Sequence, residues 1–500
     1  MTRLSVHQLG FVLALLTLVL RLPFVSQTLN HWDSVNHALA LTSFNVAAHR
    51  PQPPGYILYI GIARLVNFVF PDAQTALVVV SMSASALAVA FLFLLGTRIA
   101  SREMGFIAAL LLLTSPPFWF DSQVALPYVV EGCASVVLAY LLYRVRNGDK
   151  QLAPLAAVVF AISIGLRQQM AIFFAPLVLY VFWKHTRRVR LEALVWFTLL
   201  CFLWFAPLMW SAGGIGAYFT ALRNYNRAFA DEFVLFGTGG LGALWRNAER
   251  MSAYALYALN LATIPLFFGV LSCARARALW KNERALFFAL WILPSAIFYL
   301  FFHMGSPGLI YVFLPALFLV AAFGLEKMTR ASPRWRYGAT ALLCAFNAFL
   351  FLGTPPDLYT GSDVRVLNYS ALREHDRSLS TRVNAIRANF DAATTLVIAD
   401  EWRFAEYYLP DFRVLFVPAN ENEAVIVSEH RQEKYLRAGA LDVSQIEMLV
   451  FFDESSPRKY RGKAEECMAL QNGECLPVVH LAQKGGVKIV GNQIEGRARE

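Results

Sequence analysis

Apolar runs long enough to cross a bilayer recur along this chain from Leu9 to Gly353, and no other feature narrows its possible folds as far. A helix needs about 20 mostly apolar residues to span the hydrocarbon, because each backbone N–H and C=O must be satisfied within the segment. Spans are expected near Leu9–Val25, Ala76–Thr97, Gly105–Phe120, Val124–Tyr143, Leu152–Leu166, Met170–Trp183, Leu191–Ser211, Met251–Cys273, Ala285–Phe302, Gly308–Leu325 and Tyr337–Leu352. With 57% hydrophobic and only 16% charged residues, the chain reads as a mainly α, polytopic membrane protein.

Charge decides the topology. The segment Tyr56–Phe70 is about three-quarters of spanning length and carries Arg64 and Asn67 on one helical face. If it lies in the outer interface, the basic clusters all fall on one side. These are Arg98 and Arg102; Arg144, Arg146 and Lys150; Lys184, Arg187, Arg188 and Arg190; Arg275, Arg277, Lys281 and Arg284; and Lys327, Arg330, Arg334 and Arg336, joined by Arg3. If it spans, the positive-inside rule fails at all of them. The expectation is therefore about eleven spans, with the N-terminus cytoplasmic and the C-terminus outside. Two interfacial helices, Ser34–Ala48 and Tyr56–Phe70, then occupy the first outer loop. On this reading the net charge of +10 serves orientation and not nucleic-acid binding.

Composition shifts at Thr354-Pro355-Pro356, dividing a membrane domain, 1–353, from a largely polar domain, 354–500, that parity places outside. Short apolar strands are expected at Thr394–Ala399, Arg413–Val417, Ala424–Val427, Glu447–Phe452 and Val478–Leu481, with helices at Trp402–Tyr408 and His430–Ala438, which makes a small α/β domain. No internal repeat is seen, and no small-residue cleavage site follows the first apolar run. Of six cysteines, Cys133, Cys201, Cys273 and Cys344 sit in apolar runs as ordinary core thiols. Cys467 and Cys475 lie in polar sequence and either bridge locally or stay free.

Chemistry concentrates in His31–Tyr59, just after the first span, where an acid, histidines and a Pro-Pro-Gly turn share one outer loop. Asp33 precedes an amphipathic run in which Val35, Ala38, Leu39, Thr42 and Val46 share a face. It suits two roles there: N-cap of that helix, or general base for an acceptor hydroxyl. His49, Arg50 and Gln52 lead into Pro53-Pro54-Gly55-Tyr56, a sharp turn that points cationic and amide groups at the head-group region, where a phosphate fits.

This layout resembles the C-type (GT-C) membrane glycosyltransferases, the superfamily of protein O-mannosyltransferases and the lipid A aminoarabinose transferase, over residues 1 to about 350. Asp33 matches the family's acid in the first outer loop, Pro53-Pro54-Gly55-Tyr56 with Leu58-Tyr59 matches its Pro-Pro turn, and Thr114-Ser115-Pro116 matches a further recurrent element. The resemblance implies a polyprenyl-phosphate sugar as donor. Ser34 stands where many members carry a second acid, which weakens any case for a metal, and Gln52 replaces the histidine expected before Pro-Pro.

Other outer-face residues fit that implied chemistry. Glu131 is costly in lipid and should face a cavity or partner. Asp121 is either a second acid that orients the acceptor or a solvated helix end, and Arg167, in the short link Arg167-Gln168-Gln169, suits the leaving phosphate. The stretch Gly213–Arg250 reads as a long loop. Its Arg223, Tyr225 and Arg227, followed by Asp231-Glu232 and the glycine-rich tract Gly237–Gly242, form either a lid or a solvated amphipathic helix; His303 lies in a tight outer turn and can reach a head group.

The expected reaction is inverting transfer of a sugar from a polyprenyl phosphate to a hydroxyl of a lipid, glycan or protein acceptor, with Asp33 as base and His49, Arg50 and Arg167 on the phosphate. Neither metal nor other cofactor is required, and the setting is a cell membrane, bacterial inner membrane on the family analogy. The alternative is a carrier or flippase for the same lipid, which needs the groove and the phosphate contacts but no base; transporters usually show internal pseudo-symmetry, which is not seen here.

Overall fold

The computed structural model describes residues 4–274, 282–330, 332–355, 367–418, 425–437, 441, 443, 445–462, 466–482, 487–490 and 493–496. Arg3, Arg275, Arg277, Lys281, Pro356, Ala424 and Ala438 lie outside the described residues, as do the side chains of Asp231, Glu232 and Cys273. Contacts divide the chain into two compact units, residues 1–26 with 40–372, and residues 27–39 with 373–500.

The helices in chain order are α1 Val6–Arg21, α2 Trp32–Thr42, α3 Ile57–Asn67, α4 Ala73–Ile99, α5 Arg102–Thr114, α6 Pro116–Asp121, α7 Tyr128–Arg146, α8 Ala153–Leu166 and α9 Met170–Trp183. They continue as α10 Arg187–Ser211, α11 Ile215–Phe233, α12 Gly240–Leu259, α13 Thr263–Ala274, α14 Glu283–Phe301, α15 Leu314–Met328, α16 Pro333–Leu352, α17 Tyr369–Asn389 and α18 Trp402–Tyr408.

The first unit is a helical membrane assembly. Among the described residues, seven helical stretches are long and apolar enough to cross a bilayer: Val6–Phe24, Ala73–Ile99, Tyr128–Arg146, Arg187–Ser211, Gly240–Ser272, Glu283–Phe301 and Pro333–Leu352. Shorter apolar helices, Ile57–Asn67, Lys150–Leu166 and Met170–Trp183, accompany them. Helix α4 packs on α1, α5 and α7. Where it meets α5 the backbones nearly touch, since a Cβ on Gly96 would stand 2.5 Å from the Gly105 Cα; small residues permit such approaches between membrane helices.

The run Gly105–Phe120 is not one helix. Pro116 and Pro117 lack N–H groups, so the carbonyls of Leu112 and Leu113 lose the donors a continuous helix would supply. The Ser115 N–H donates to Leu112 at 3.3 Å, and the buried Arg21 donates from Nη2 to Leu113 at 2.6 Å. Arg21 also lies over the Trp119 ring, 4.7 Å from its centroid. Of the two readings of Gly213–Arg250, a lid or an amphipathic helix, the stretch holds helices: α11 and the first half of α12, joined through the glycine-rich tract.

In the second unit the strands are β1 Thr395–Ile398, β2 Arg413–Phe416, β3 Val425–Glu429, β4 Gln432–Leu436, β5 Met448–Phe451, β6 Glu466–Ala469, β7 Cys475–His480, β8 Val487–Val490 and β9 Gln493–Gly496. A seven-stranded sheet runs β4-β3-β2-β1-β5-β7-β6, with β1 parallel to both β2 and β5 and the outer pairs antiparallel. Leu396, Ile398, Leu415, Leu449, Phe451 and Val479 form its core. Cys467 and Cys475 are disulfide-bonded across the β6–β7 pair.

The helix expected at His430–Ala438 is strand β4. His430 and Arg431, at φ 48° and 62°, form a two-residue reversal that pairs Glu429 with Gln432. Positive φ at both central residues matches the twist of the flanking strands and makes a tight hairpin.

Candidate functional site

The α8–α9 link in the first unit turns within Arg167-Gln168-Gln169, the Met170 N–H donating to the Arg167 carbonyl at 3.0 Å. Arg167 is extended at the end of α8, φ −155°, which frees its side chain from the helix. Its Nη1 donates to both Glu131 oxygens, at 3.1 and 2.8 Å, and its Nε to Gln169 Oε1 at 2.7 Å. Glu131, one turn into α7, is 1% exposed, and Arg167 is 8% exposed. The partner that Glu131 requires is thus Arg167. Among the described residues Nη2 of Arg167 makes no hydrogen bond, so one edge of a held guanidinium remains for an anion. Tyr56, Tyr128 and Tyr299 stand around it, Tyr128 with its ring centroid 6.0 Å away.

The Pro-Pro-Gly turn is tied to this link. Gln168 Nε2 and Tyr218 Oη of α11 both donate to the Pro54 carbonyl, at 3.2 and 3.0 Å. The peptide bonds Arg50–Pro51 and Pro53–Pro54 are cis, and His49 and Tyr56 take left-handed φ of 55° and 42°. Gly55, at φ 111°, permits the close approach of Leu208: a Cβ there would meet it at 2.8 Å. His49 sets its ring edge-on to Tyr225 of α11 at 5.6 Å, while Arg223 and Arg227 of the same helix are exposed. Arg50 pairs its backbone with Asn45.

Two further arginines, not singled out in the sequence, join Arg167. Arg246 and Arg250 lie one turn apart on α12, and with Arg167 they form a positive field around His303. Desolvation by surrounding protein and these like charges both press the His303 pKa below its ordinary value, although the residue is partly solvent-exposed. Between the two arginines, the fully buried Asn247 accepts from the Met304 N–H at 3.1 Å and donates to the Leu300 carbonyl at 3.2 Å, so the His303 turn is fastened to α12. The spacing of Arg246 and Arg250 was visible, but on an amphipathic helix it reads as a solvated face. Asp121 is buried and accepts from Tyr311 Oη at 2.7 Å; its partner is a phenol and not a cation.

Asp33 belongs to the second unit. It is the second residue of α2 and not its N-cap. His31 takes the capping place: its Nδ1 accepts from the Asp33 N–H at 3.1 Å and its carbonyl from the Ser34 N–H at 2.9 Å. The Asp33 carboxylate lies 3.8 Å from His31 Nδ1 with its side chain 27% exposed. One turn on, burial lowers the His37 pKa to about 4 despite the raising effect of Asp33, so His37 is neutral at physiological pH. Among the described residues no three His, Cys, Asp or Glu side chains converge as a metal-holding set.

The model of the dolichyl-phosphate-mannose-protein mannosyltransferase family matches residues 52–210. A comparison with curated protein sequences finds no match. ArnT from Cupriavidus metallidurans bound to undecaprenyl phosphate superposes with a TM-score of 0.56 at 13% identity, over 82% of this chain and 85% of that one. The same protein in the apo state gives 0.52 at 13% identity, over 89% and 92%. The apo oligosaccharyltransferase of Archaeoglobus fulgidus gives 0.46 at 13% identity, over 80% of this chain and 63% of that one.

The chain shares the fold of ArnT. The family match includes the Pro53-Pro54-Gly55 turn, Asp121, Glu131 and Arg167, whereas Asp33, Arg246, Arg250 and His303 lie outside it. The ArnT superposition covers most of both chains, in keeping with a helical membrane part that carries a C-terminal sheet domain.

Proposed function

We propose that this protein is a membrane glycosyltransferase that moves a sugar from a polyprenyl-phosphate donor to an acceptor hydroxyl at the outer face of a cell membrane, with its N-terminus cytoplasmic. The observation that carries this reading is the half-committed Arg167, held by Glu131 and Gln169 with Nη2 unclaimed among the described residues. The Arg167–Glu131 pair is neutral overall, and the guanidinium groups of Arg246 and Arg250 add to the positive potential at the His303 turn. Cations preorganised where negative charge grows stabilise a departing phosphate more than water does.

In the proposed step Asp33 takes the proton of the acceptor hydroxyl, whose oxygen bonds to the anomeric carbon from the face opposite the phosphate. The bond from that carbon to the phosphate oxygen breaks with inversion, and the polyprenyl phosphate leaves as an anion met by the arginines. His49 and Arg50 contact the donor head group beside the Pro-Pro-Gly turn, and Asp121, fixed by Tyr311, shapes the pocket wall. The family match over 52–210 and the fold shared with an ArnT captured on undecaprenyl phosphate support a lipid-phosphate donor.

The test is mass spectrometry of the lipid that copurifies with the protein, followed by transfer of labelled sugar from that carrier in vesicles. Product formation on an acceptor hydroxyl is expected. Movement of the labelled lipid between leaflets without transfer would replace the reading with a carrier.

A further inference from the structure

Residues 27–39 form one compact unit with the C-terminal domain, and the contacts that join them are specific. Asp376 of α17 accepts from the Gln27 N–H through Oδ2 at 2.8 Å, and through Oδ1 from the Thr28 N–H at 2.9 Å and the Thr28 hydroxyl at 2.6 Å. Tyr408 Oη, at the end of α18, accepts from the Leu29 N–H at 2.8 Å. His375 Nε2 lies 3.1 Å from the Leu29 carbonyl, and Trp32 packs edge-on to Trp402 at 5.7 Å. Three consecutive N–H groups of an irregular segment therefore end on side chains of two C-terminal helices. Backbone donors of this kind must find partners, and a carboxylate acceptor makes the stronger bonds.

This clamp ends directly before Asp33. The Asp33 carboxylate accepts no hydrogen bond among the described residues, and its nearest ionic neighbour is His31 Nδ1 at 3.8 Å. Its position is thus inherited from the backbone at the start of α2, and that backbone is set by the segment from Gln27 to Trp32.

We infer that the C-terminal domain is a positioning frame for Asp33, with Asp376 as its principal positioning residue and Tyr408 as the second. The inference rests on the reading of Asp33 as the base. It gives the appended domain a part in the reaction: it holds the start of α2 in one register, so that the carboxylate meets the acceptor hydroxyl without side-chain bonds that would compete for its lone pairs. Displacing a reacting group by roughly 1 Å costs about 100-fold in rate.

The experiment measures sugar transfer per polyprenyl-phosphate-binding site in vesicles holding the full-length protein, for wild type, Asp376→Ala, Asp376→Asn, Tyr408→Phe and Asp33→Asn. Normalising to phosphate-binding sites removes any loss that comes only from misfolded protein. Asp376→Ala is expected to lower kcat at least about tenfold with the donor KM and the phosphate Kd unchanged, and Asp376→Asn, which keeps one acceptor oxygen, to restore part of it. If Asp376→Ala does not fold, Tyr408→Phe carries the test, since it removes a single acceptor and should lower kcat in the same sense. Wild-type kcat per site in the folded clamp variants, alongside an inactive Asp33→Asn, overturns the positioning role alone. Full transfer by Asp33→Asn overturns the underlying assignment of the base instead.

Discussion

Arg167 donates from one nitrogen, Nη1, to both carboxylate oxygens of Glu131, across 36 residues of sequence. Each member is too buried to stand alone, and together they leave the guanidinium fixed with its Nη2 edge unclaimed among the described residues.

Removing one partner leaves the other charge buried without compensation, which costs about 3–5 kcal/mol. Glu131→Ala and Arg167→Ala should each lower the unfolding temperature in detergent markedly. The double replacement Glu131→Gln with Arg167→Met should recover most of that stability yet remain inactive in transfer. Recovery of transfer by the double variant contradicts a role for Arg167 on the phosphate.

Arg246 and Arg250 act with Arg167 on the His303 turn, so each alanine variant should weaken polyprenyl-phosphate binding. Charge-assisted hydrogen bonds are worth about 1.5–3 kcal/mol, or roughly 10- to 150-fold in Kd. Lys184→Ala, which removes an exposed cation paired with Glu283, should leave Kd unchanged. Titration with a short-chain polyprenyl phosphate reads both.

The C-terminal domain should lose stability in acid through Glu474. Burial alone would raise its carboxyl, but the bonds from Ser378 Oγ at 3.0 Å and Arg382 Nη2 at 2.8 Å hold it below the ordinary value. With the folded pKa depressed, the stabilisation is complete above the unfolded pKa of about 4.3 and is lost as pH falls through the folded one. Amide exchange in α17 and β7 should therefore accelerate below that range in wild type. In Glu474→Gln this part of the pH dependence should be missing.

What was legible in the sequence followed physical necessity. Bilayer thickness imposes long apolar runs, so the helical membrane class was readable, as was the α18 segment Trp402–Tyr408. The α5–α6 break was written in Pro116-Pro117, but the donor that compensates it, Arg21, is 92 residues from Leu113 and carries no local mark. Strand β4 was misread because the reversal at His430-Arg431 uses residues without the usual Asn-Gly signal. Glu131 announced a missing partner through its cost in lipid, yet only the fold names Arg167. That Asp33 sits inside α2 behind a His31 cap was not legible, since a ring nitrogen is an uncommon cap.

The most direct measurement compares Asp33→Asn with wild type for two quantities, polyprenyl-phosphate binding and sugar transfer per binding site. A lost general base lowers transfer by about 100- to 10,000-fold, and the account predicts a loss of that size with binding unchanged. Wild-type transfer by Asp33→Asn would contradict it.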